Sequence, residues 1–402
     1  NPTGAMAIAG GGVHPDAVIV TGAGAATFTS ATVVATPNPS PIAIPGAQMV
    51  RDEGIVQQWF GQSAAGNWVL RSDVNATALG SVMGAVSGLM SSITTAFAEP
   101  ASAFISKPQD DAPNKFSIGV WGRNRDGRFN IKSSSLIPGV GLGGVDRIVD
   151  TRARATFVGC QLGIDAGLYN INNSGWSANF GVHGGYVDGT SKTPLAQLDV
   201  GQPFYGVYGA LSNGPFALDV LVRRDQYNLR LWPTDGRILA VGSKGKFKGD
   251  GWSALANVQY RFTIGENLFL EPSAAIMYSR IELDPLQTAA GPVAWSPIES
   301  TTGRLGLTLR TVMQLSEKVY ISPAVQASVW HEFAGRTKAA VQNPLLPVQV
   351  STDRVGTYGQ VSAGVTVLPV AMPSLTGFVR GDLRFGSKID GWAVNFGVRN
   401  QF

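Results

Sequence analysis

Residues 256–262, ANVQYRF, alternate between apolar and polar side chains without interruption. One face carries Ala, Val, Tyr and Phe, and the other carries Asn, Gln and Arg. Successive side chains of a β-strand point to opposite sides, so this pattern predicts a strand whose two faces meet different surroundings. The chain then turns through IGEN, residues 264–267, and the alternation resumes.

The same period of two runs through the rest of the chain from residue 115. We count twelve alternating segments, at residues 115–130, 151–170, 175–188, 203–213, 215–232, 247–263, 267–281, 302–314, 318–333, 352–368, 374–386 and 391–402. Most are 11 to 18 residues long, whereas strands of globular proteins have about 5 or 6. A tilted strand needs about 9 to 11 residues to cross a bilayer, so these segments are long enough to do so.

The connections between the segments alternate in length. Short turns lie at residues 170–175, 212–215, 264–267, 315–318 and 369–373. Long polar loops are predicted near residues 131–150, 189–202, 233–246, 282–301 and 334–351. A soluble β-sandwich also alternates, but its strands are shorter, and this sequence of turns and loops is typical of an outer-membrane barrel. Because a bilayer tolerates no open sheet edge, the sequence predicts an all-β fold, a 12-stranded antiparallel transmembrane β-barrel.

The composition argues against several classes of protein. The chain has 402 residues with a net charge of +4, and its basic residues form no cluster in the sequence, so nucleic-acid binding is not indicated. A single cysteine, Cys160, excludes an internal disulfide and a cysteine metal cluster. The first residues, NPTGAMAIAGGG, lack the pattern of a signal peptide, and we expect the chain to be part of a longer protein.

Residues 75–98, NATALGSVMGAVSGLMSSITTAFA, carry no charge and predict a helix, with Asn75 or Thr77 as its cap. Apolar side chains recur at helical spacing, and glycines line another face. About 22 residues would span roughly 33 Å, close to a bilayer core of about 30 Å, so a single transmembrane helix is one interpretation. The residues expected on this helix are Leu79, Gly80, Val82, Gly84, Val86, Gly88, Leu89, Ile93 and Phe97.

The barrel topology favours a different place for this helix. A long loop follows the first strand, so that strand runs outward, and twelve strands return the C-terminus to the periplasm. Residues 1–74 then lie outside the cell only if the helix passes through the lumen. Barrels of about 8 strands are filled by side chains and those of about 16 hold a channel, so 12 strands leave room for about one helix. We therefore predict a helix inside the pore.

The N-terminal residues before the helix predict a small β and coil region. AVIVTG and ATVVATP are typical of short strands, TPNPSPIAIPG of an extended linker, and residues 51–74 of two further strands.

Five stretches, taken in order, resemble one protein family. They are GNWVLRSDVN (residues 66–75), ALGSVMGAVSGLMSSITTAF (78–97), NKFSIGVWGRNRDG (114–127), LFLEPSAAIMYSRIEL (268–283) and GWAVNFGVRNQF (391–402). Together with the strand count, they resemble the C-terminal translocator of type Va autotransporters, from about residue 66 to residue 402.

This resemblance implies a function in type V secretion. The chain would export an N-terminal passenger to the surface of a Gram-negative cell and anchor it in the outer membrane. Residues 1–74 would be the extracellular end of the passenger, residues 75–114 the pore helix and its linker, and residues 115–402 the barrel, with the C-terminus at the periplasmic face. The barrel would be a monomer among outer-membrane lipids.

The resemblance also implies partners and a mode of assembly. The barrel-insertion machinery of the outer membrane reads a C-terminal strand that ends in an aromatic residue, and Trp392, Phe396, Val398 and Phe402 hold the corresponding positions. Some family members cut themselves in the helix at an Asn-Asn pair. Asn75 lies at the helix start without such a pair, so we expect an uncleaved, tethered passenger.

Two alternatives to the translocator stay open at this point. The first alternative is a channel or porin-like protein that is plugged by its own N-terminal segment. The second is a scaffold that binds other surface proteins through residues 1–74. No G-x-S-x-G motif, phosphate loop or metal-ligand spacing is present, so we expect no enzyme, cofactor or metal site. His183 with Asp188, or His331 with Glu332, resembles a barrel protease only weakly.

Charged side chains of the predicted strands fall on the face assigned to the lumen. They are Arg123, Asp165, His183, Asp219, Arg223, Arg261, Glu271, Arg304, Arg310, Arg380, Asp382, Arg384 and Arg399. One interpretation is a solvated wall of mixed charge, and another is a set of groups that hold the helix. Arg261, Glu271 and Arg399 lie near the expected C-terminal end of the helix and are candidates for the second role.

Aromatic residues at the strand ends predict an interfacial girdle, since their rings prefer the level of the lipid headgroups. They are Phe116, Trp176, Tyr260, Phe262, Tyr320 and Phe402.

Overall fold

A computed structural model of the chain describes residues 17–20, 34–35, 48–52, 54–62, 68–94, 112–138, 146–343 and 348–402. Five short strands form an N-terminal sheet: Ala17–Val20 (β1), Val34–Ala35 (β2), Gln48–Asp52 (β3), Val56–Gln62 (β4) and Trp68–Val74 (β5). Their order in the sheet is β2-β1-β5-β4-β3, and all pairs are antiparallel. Strands β1, β2, β4 and β5 correspond to the four strands predicted before the helix, and β3 was not predicted. The linker TPNPSPIAIPG lies outside the described residues.

One α-helix follows this sheet within the described residues, Ala76–Thr94 (α1). Its start agrees with the predicted cap, because Asn75 Oδ1 accepts hydrogen bonds from the backbone N–H groups of Thr77 (3.1 Å) and Ala78 (3.2 Å). Residues 95–98 of the predicted helix lie outside the described residues. Among the residues described, we find no helix that combines the length and the hydropathy needed to cross a membrane.

The remaining strands close into an antiparallel barrel. Its twelve long staves begin with Lys115–Ile137 (β6), Arg147–Tyr169 (β7), Trp176–Lys192 (β8), Ala196–Asn213 (β9), Phe216–Pro233 (β10) and Lys246–Tyr260 (β11), which Phe262–Thr263 (β12) extends. They continue with Leu268–Leu283 (β13), two loop strands Leu286–Thr288 (β14) and Gly291–Trp295 (β15), and Ile298–Thr311 (β16) with Met313–Ser316 (β17). The barrel is completed by Val319–Glu332 (β18), the loop strands Thr337–Val341 (β19) and Val348–Thr352 (β20), Thr357–Pro369 (β21), Leu375–Phe385 (β22) and Ile389–Gln401 (β23). The predicted fold class is confirmed, and every predicted segment corresponds to one stave.

The last strand closes the barrel against the first. β23 pairs antiparallel with β6 from Ile389 opposite Ile131 to Gln401 opposite Gly119. The backbone of Phe402 continues the ladder, because its N–H donates to the Ile118 carbonyl (2.7 Å) and its carbonyl accepts from the Ile118 N–H (3.0 Å). The barrel therefore has no free edge along this seam.

Two of the predicted long loops are wrong. Residues 131–137 and 147–150 belong to β6 and β7, and only residues 193–195 connect β8 to β9. Short strands also occupy parts of the predicted loops at 282–301 and 334–351. Beyond the apolar band both faces of a strand are polar, so the alternation in hydropathy fades while the backbone ladder continues.

The two barrel ends differ. We call the end that holds the short connections, residue 115 and Phe402 the turn end, and the opposite end the loop end. The side chains alternate strictly between the lumen and the outer surface, as the burial of successive residues in β7 shows. Large apolar side chains such as Leu162, Phe180 and Leu305 are exposed on the outer surface, as expected where lipid replaces water. All six aromatic residues predicted for the girdle are exposed at the turn end.

Candidate functional site

Helix α1 lies inside the barrel lumen and is the first component of the site. Its side chains are buried around the whole circumference, with Leu79, Met83, Val86 and Leu89 fully buried. A helix that is apolar on all sides is normally buried on all sides, and here the barrel wall supplies the partner surface. The helix contacts mainly β6, β7, β8 and β9. Leu79, Val82, Val86 and Leu89 of the predicted set are thus enclosed, the side chain of Ile93 is not described, and Phe97 lies outside the described residues.

The glycines of α1 form the face that approaches the wall most closely. A Cβ atom at Gly80 would lie 2.8 Å from Val149 Cγ1, one at Gly84 2.5 Å from Thr151 Cγ2, and one at Gly88 3.0 Å from Ala153 Cβ. Eight helical residues rise about 12 Å, and four strand residues rise about 13 Å. The helix therefore runs alongside β7 in the same direction. Each successive glycine of the helix lies against the next inward-facing residue of the strand.

One hydrogen bond between the helix and the wall lies on this face. Thr151 Oγ1 donates to the Gly80 carbonyl at 3.3 Å. Within the helix, Ser92 Oγ donates to the Gly88 carbonyl at 2.9 Å. The close fit thus relies mainly on packing of small residues, which is how helices approach a neighbour when no larger side chain intervenes.

A polar network lies on the lumen wall nearer the turn end. Arg399 of β23 reaches Asp165 of β7 through two hydrogen bonds of 2.6 Å, and both side chains are buried. Tyr208 donates to the same carboxylate at 2.6 Å and accepts from the Trp121 indole, also at 2.6 Å. An ion pair with these added hydrogen bonds compensates for removal of the charges from water.

Two further sets of lumen residues join side chains of different staves. Gln161 accepts from Arg123 Nε at 2.6 Å and bonds the ring of His183 at 2.7 Å. Asp382 pairs with Arg125 at 2.6 Å and with Arg380 at 2.8 Å. Arg384 donates to Gln360 and lies over the rings of Phe129, Trp330 and Tyr358.

A third set lies elsewhere on the lumen wall, and several of its members line a cavity. Glu271 pairs with Arg261 at 2.6 Å and with Arg310 at 3.1 Å. Arg304 donates to Asn257, which donates to Asp219 at 3.1 Å. Arg223 pairs with Asp225 at 2.9 Å on β10. The cavity has a volume of about 130 Å³ and is lined mainly by polar side chains, among them Glu271, Arg304, Arg310 and Arg380.

The three residues proposed to hold the helix end bond to the wall instead. Glu271 is shared by Arg261 and Arg310, and Arg399 is occupied by Asp165. Their registers explain this, since each lies within reach of an opposite charge on a nearby stave. The residues that do contact the helix face, Val149, Thr151 and Ala153, were not singled out from the sequence, because they fall in or beside a stretch predicted to be a loop.

The histidines do not assemble a metal or protease site within the described part of the chain. His183 is buried beside Gln161, while His331 is on the outer face and bonds Thr357 Oγ1 at 2.6 Å. Glu332 instead accepts from Ser300 and Thr302 on the inner face. No group of three potential metal ligands occurs among the residues described.

The N-terminal sheet meets the barrel at the loop end. Arg237, in the loop after β10, donates through Nη1 to the Asp52 carbonyl. Gly54 follows in a left-handed conformation (φ 77°), and a Cβ there would lie 2.9 Å from Arg237 C and Ile238 N. Ile55 and Ile238 are both buried, and the Ile55 carbonyl accepts from Asn75 N at 2.8 Å. We call this contact, formed by Asp52, residues 54–56 and residues 235–238, the mouth contact.

A family model described as the autotransporter beta-domain matches residues 120–376. The chain belongs to this family. The match covers most of the barrel staves, and the resemblance noted in the sequence is thereby confirmed. The protein is an outer-membrane autotransporter of type V secretion, and its β-domain is a transport unit.

Solved structures of autotransporters share the fold. The β-domain of the Bordetella autotransporter BrkA is 18% identical with a TM-score of 0.52, over 70% of this chain and 98% of its own. The transport unit of AIDA-I from Escherichia coli is 15% identical with a TM-score of 0.58, over 79% and 98%. The translocator domain of NalP from Neisseria meningitidis is 13% identical with a TM-score of 0.50, over 81% and 100%. A comparison with curated protein sequences found no significant match.

Proposed function

We propose that this autotransporter exports a passenger through its barrel and then keeps the passenger tethered, with α1 left in the pore as the tether and the plug. The observation that carries the proposal is the position of α1, whose glycine face fits β7 inside a closed barrel. A segment that joins a sheet at the loop end to the first stave, which begins at the turn end, must run the length of the lumen.

The proposal divides the chain into three parts. Residues 1–74 are the end of the passenger, residues 75–114 the pore helix with its linker, and residues 115–402 the barrel. The loop end faces the outside and the turn end faces the periplasm, because outer-membrane barrels have short periplasmic turns and longer outer loops. The aromatic girdle at the turn end then lies at the periplasmic interface.

The lumen charges have a structural role in this proposal. Arg399 with Asp165 and Arg125 with Asp382 each join staves that are not direct neighbours and that lie across the seam, whereas Glu271 joins two arginines on the neighbouring staves. We infer that these pairs fix the barrel cross-section around the helix, while the helix itself is held by packing. The outer residues of β23, including Trp392, Phe396, Val398 and Phe402, are proposed to be the part that the barrel-insertion machinery reads.

Surface labelling of intact cells tests the proposal. An epitope inserted in residues 36–46 is expected to be labelled on intact cells, and an epitope inserted in the turn at residues 264–267 only after the outer membrane is permeabilised. Labelling of the second epitope alone on intact cells would show that the barrel has the opposite orientation in the membrane. A periplasmic location for both would refute export and favour a channel plugged from the periplasmic side.

A further inference from the structure

Four cations lie together on the outer surface near the loop end, although they are far apart in the sequence. Lys132 belongs to β6, Arg152 and Arg154 to β7, and Lys192 to β8, and all four are exposed. In the register of the sheet, Lys132 is opposite Arg152 and Arg154 is opposite Lys192. We call these residues the cation quartet.

Like charges directly opposite each other on paired strands destabilise a sheet, so a bound counter-charge would stabilise this arrangement. The structure shows no ion pair between the quartet and any carboxylate of the described residues. Two outward cations elsewhere on the barrel differ, since Arg224 pairs with Asp250 at 3.5 Å and Arg280 with Glu282 at 2.9 Å.

The acidic side chains around the quartet are engaged with neutral partners. Asp150 accepts from Ser134 Oγ. Asp199 accepts from Thr190, Gln197 and the Trp232 indole, and Asp390 accepts from Asn130 at 2.8 Å. Asp188 is opposite Val158 and Gly201 in the register, two outward positions nearer the apolar band than Lys192. None of these carboxylates forms a direct ion pair with a cation of the quartet.

The quartet is placed just beyond the lipid-facing band. On β7, Thr156 separates Arg154 from the apolar run that starts with Val158 and continues to Leu168. Four residues of a strand span about 13 Å, and the tilt of barrel strands shortens this distance along the membrane normal. Long basic side chains reach back toward the membrane interface while their stems cover apolar surface, so the charged groups reach the level of lipid headgroups.

We propose that the cation quartet binds the phosphorylated headgroup of an outer-leaflet lipid whose acyl chains lie on the apolar surface of β6, β7 and β8. The assignment to the outer leaflet rests on the proposed orientation of the barrel. Arginine suits this ligand because its guanidinium binds phosphate oxygens in pairs. The wall formed by β13 and β16 lacks such a site, since Glu282 and Glu299 lie beside its outward cation Arg280.

Lipid binding to the purified full chain in neutral detergent tests the proposal. The probe is bisphosphorylated lipid A, and the comparisons are its dephosphorylated form, phosphatidylethanolamine and inorganic phosphate. The variant R152Q/R154Q is expected to weaken lipid A binding about tenfold or more. The matched control R224Q/R280Q also removes two outward cations, but these have carboxylate partners, and its affinity is expected to stay within about twofold of the original chain. Both variants must retain the folded barrel, judged by its resistance to unfolding in detergent without heating.

Three results would overturn the proposal. The first is equal affinity for phosphorylated and dephosphorylated lipid A. The second is inorganic phosphate that displaces lipid A when both are present at the same concentration. The third is an equal loss of lipid A affinity in R152Q/R154Q and R224Q/R280Q. Failure of the proposed function is a separate result, because the measurement in detergent does not depend on orientation. If the epitopes in residues 36–46 and 264–267 report a reversed barrel while R152Q/R154Q still loses lipid, the lipid site stands and the assignment to the outer leaflet falls.

Discussion

Arg399 on the last stave and Asp165 on the second stave form a buried, two-hydrogen-bond ion pair that crosses over the first stave. The residue beneath them is Gly119, where a Cβ would lie 2.1 Å from Arg399 Nη2. The pair thus spans the seam at which the barrel closes, and only a glycine leaves room for it. Gln401 adds a second crossing, because its amide donates to Ser117 and to Tyr169.

Arg399→Gln should therefore weaken the closed barrel. Loss of one partner leaves the Asp165 carboxylate buried and uncompensated, which typically costs about 3–5 kcal/mol. The free energy of unfolding, measured by urea titration in lipid or detergent, checks this value. The control Arg224→Gln breaks a half-exposed pair and should cost less than about 1 kcal/mol. The double variant D165N/R399Q should recover part of the loss, and equal losses in the two single arginine variants would contradict a role at the seam.

Phe402→Asp should lower the yield of barrels inserted in the outer membrane. The Phe402 backbone pairs with Ile118 on the first stave, and its ring is 72% exposed at the turn end. An aromatic ring suits the headgroup level, whereas a carboxylate adds a charge where the seam completes. The inserted fraction is measured from the heat-sensitive mobility of the protein in membrane extracts. Phe402→Tyr keeps the ring and should insert normally, and a normal yield of Phe402→Asp would show that the aromatic residue is dispensable.

Gly54→Val should separate the N-terminal sheet from the barrel mouth. The positive φ disfavours a side chain, and the added Cβ would meet the backbone of Arg237 and Ile238 at 2.9 Å. Hydrogen exchange is expected to speed up at residues 54–56 and at Asn75, whose N–H bonds the Ile55 carbonyl. Gly335→Val is the matched control, since nothing lies within 4 Å of a Cβ there. Unchanged exchange in Gly54→Val would mean that the mouth contact does not restrain the sheet.

The mouth contact should also respond to acid. Hydrogen bonds from the side chain of Arg237 lower the pKa of Asp235 below its ordinary value of 3.8. A lowered carboxylate pKa means that the stabilisation is fully present above pH 3.8 and is lost as the pH falls through the lowered pKa. Hydrogen exchange at residues 54–56 should therefore be insensitive to Asp235 ionisation between pH 7 and 5, and should gain an Asp235-dependent acceleration only below pH 3.8. Asp235→Asn should remove that acid-dependent component, and an unchanged acid response in this variant would contradict the assignment.

Alternation in hydropathy was sufficient to predict the twelve staves. Residues 256–262 meet lipid on one face and the polar lumen on the other, so their sequence records both surroundings directly. The lumen pairings were not predictable in the same way. Asp165 and Arg399 are separated by 234 residues, and only closure of the barrel brings them together.

The loop end was predicted less well for a physical reason. Ser133 and Thr151 face the lumen beside α1, where small polar side chains fit a glycine of the helix. Their outward neighbours are also polar, so no alternation in hydropathy marks β6 and β7 in this part of the chain. The mouth contact was not predicted either. Gly54 is visible in the sequence as a glycine, but the sequence alone does not show that it approaches Arg237.

The presence of α1 as a plug in the pore is tested most directly by the single-channel conductance of the purified protein in planar bilayers, with and without residues 75–98. We predict a closed or low-conductance barrel for the full chain and a large, steady pore for the deletion, because α1 fills the lumen. The inward charges of the described staves also favour anions in the opened pore, since Arg123, Arg223, Arg304, Arg384 and their neighbours outnumber the carboxylates. Equal conductance for the two proteins would contradict a helix that plugs the pore.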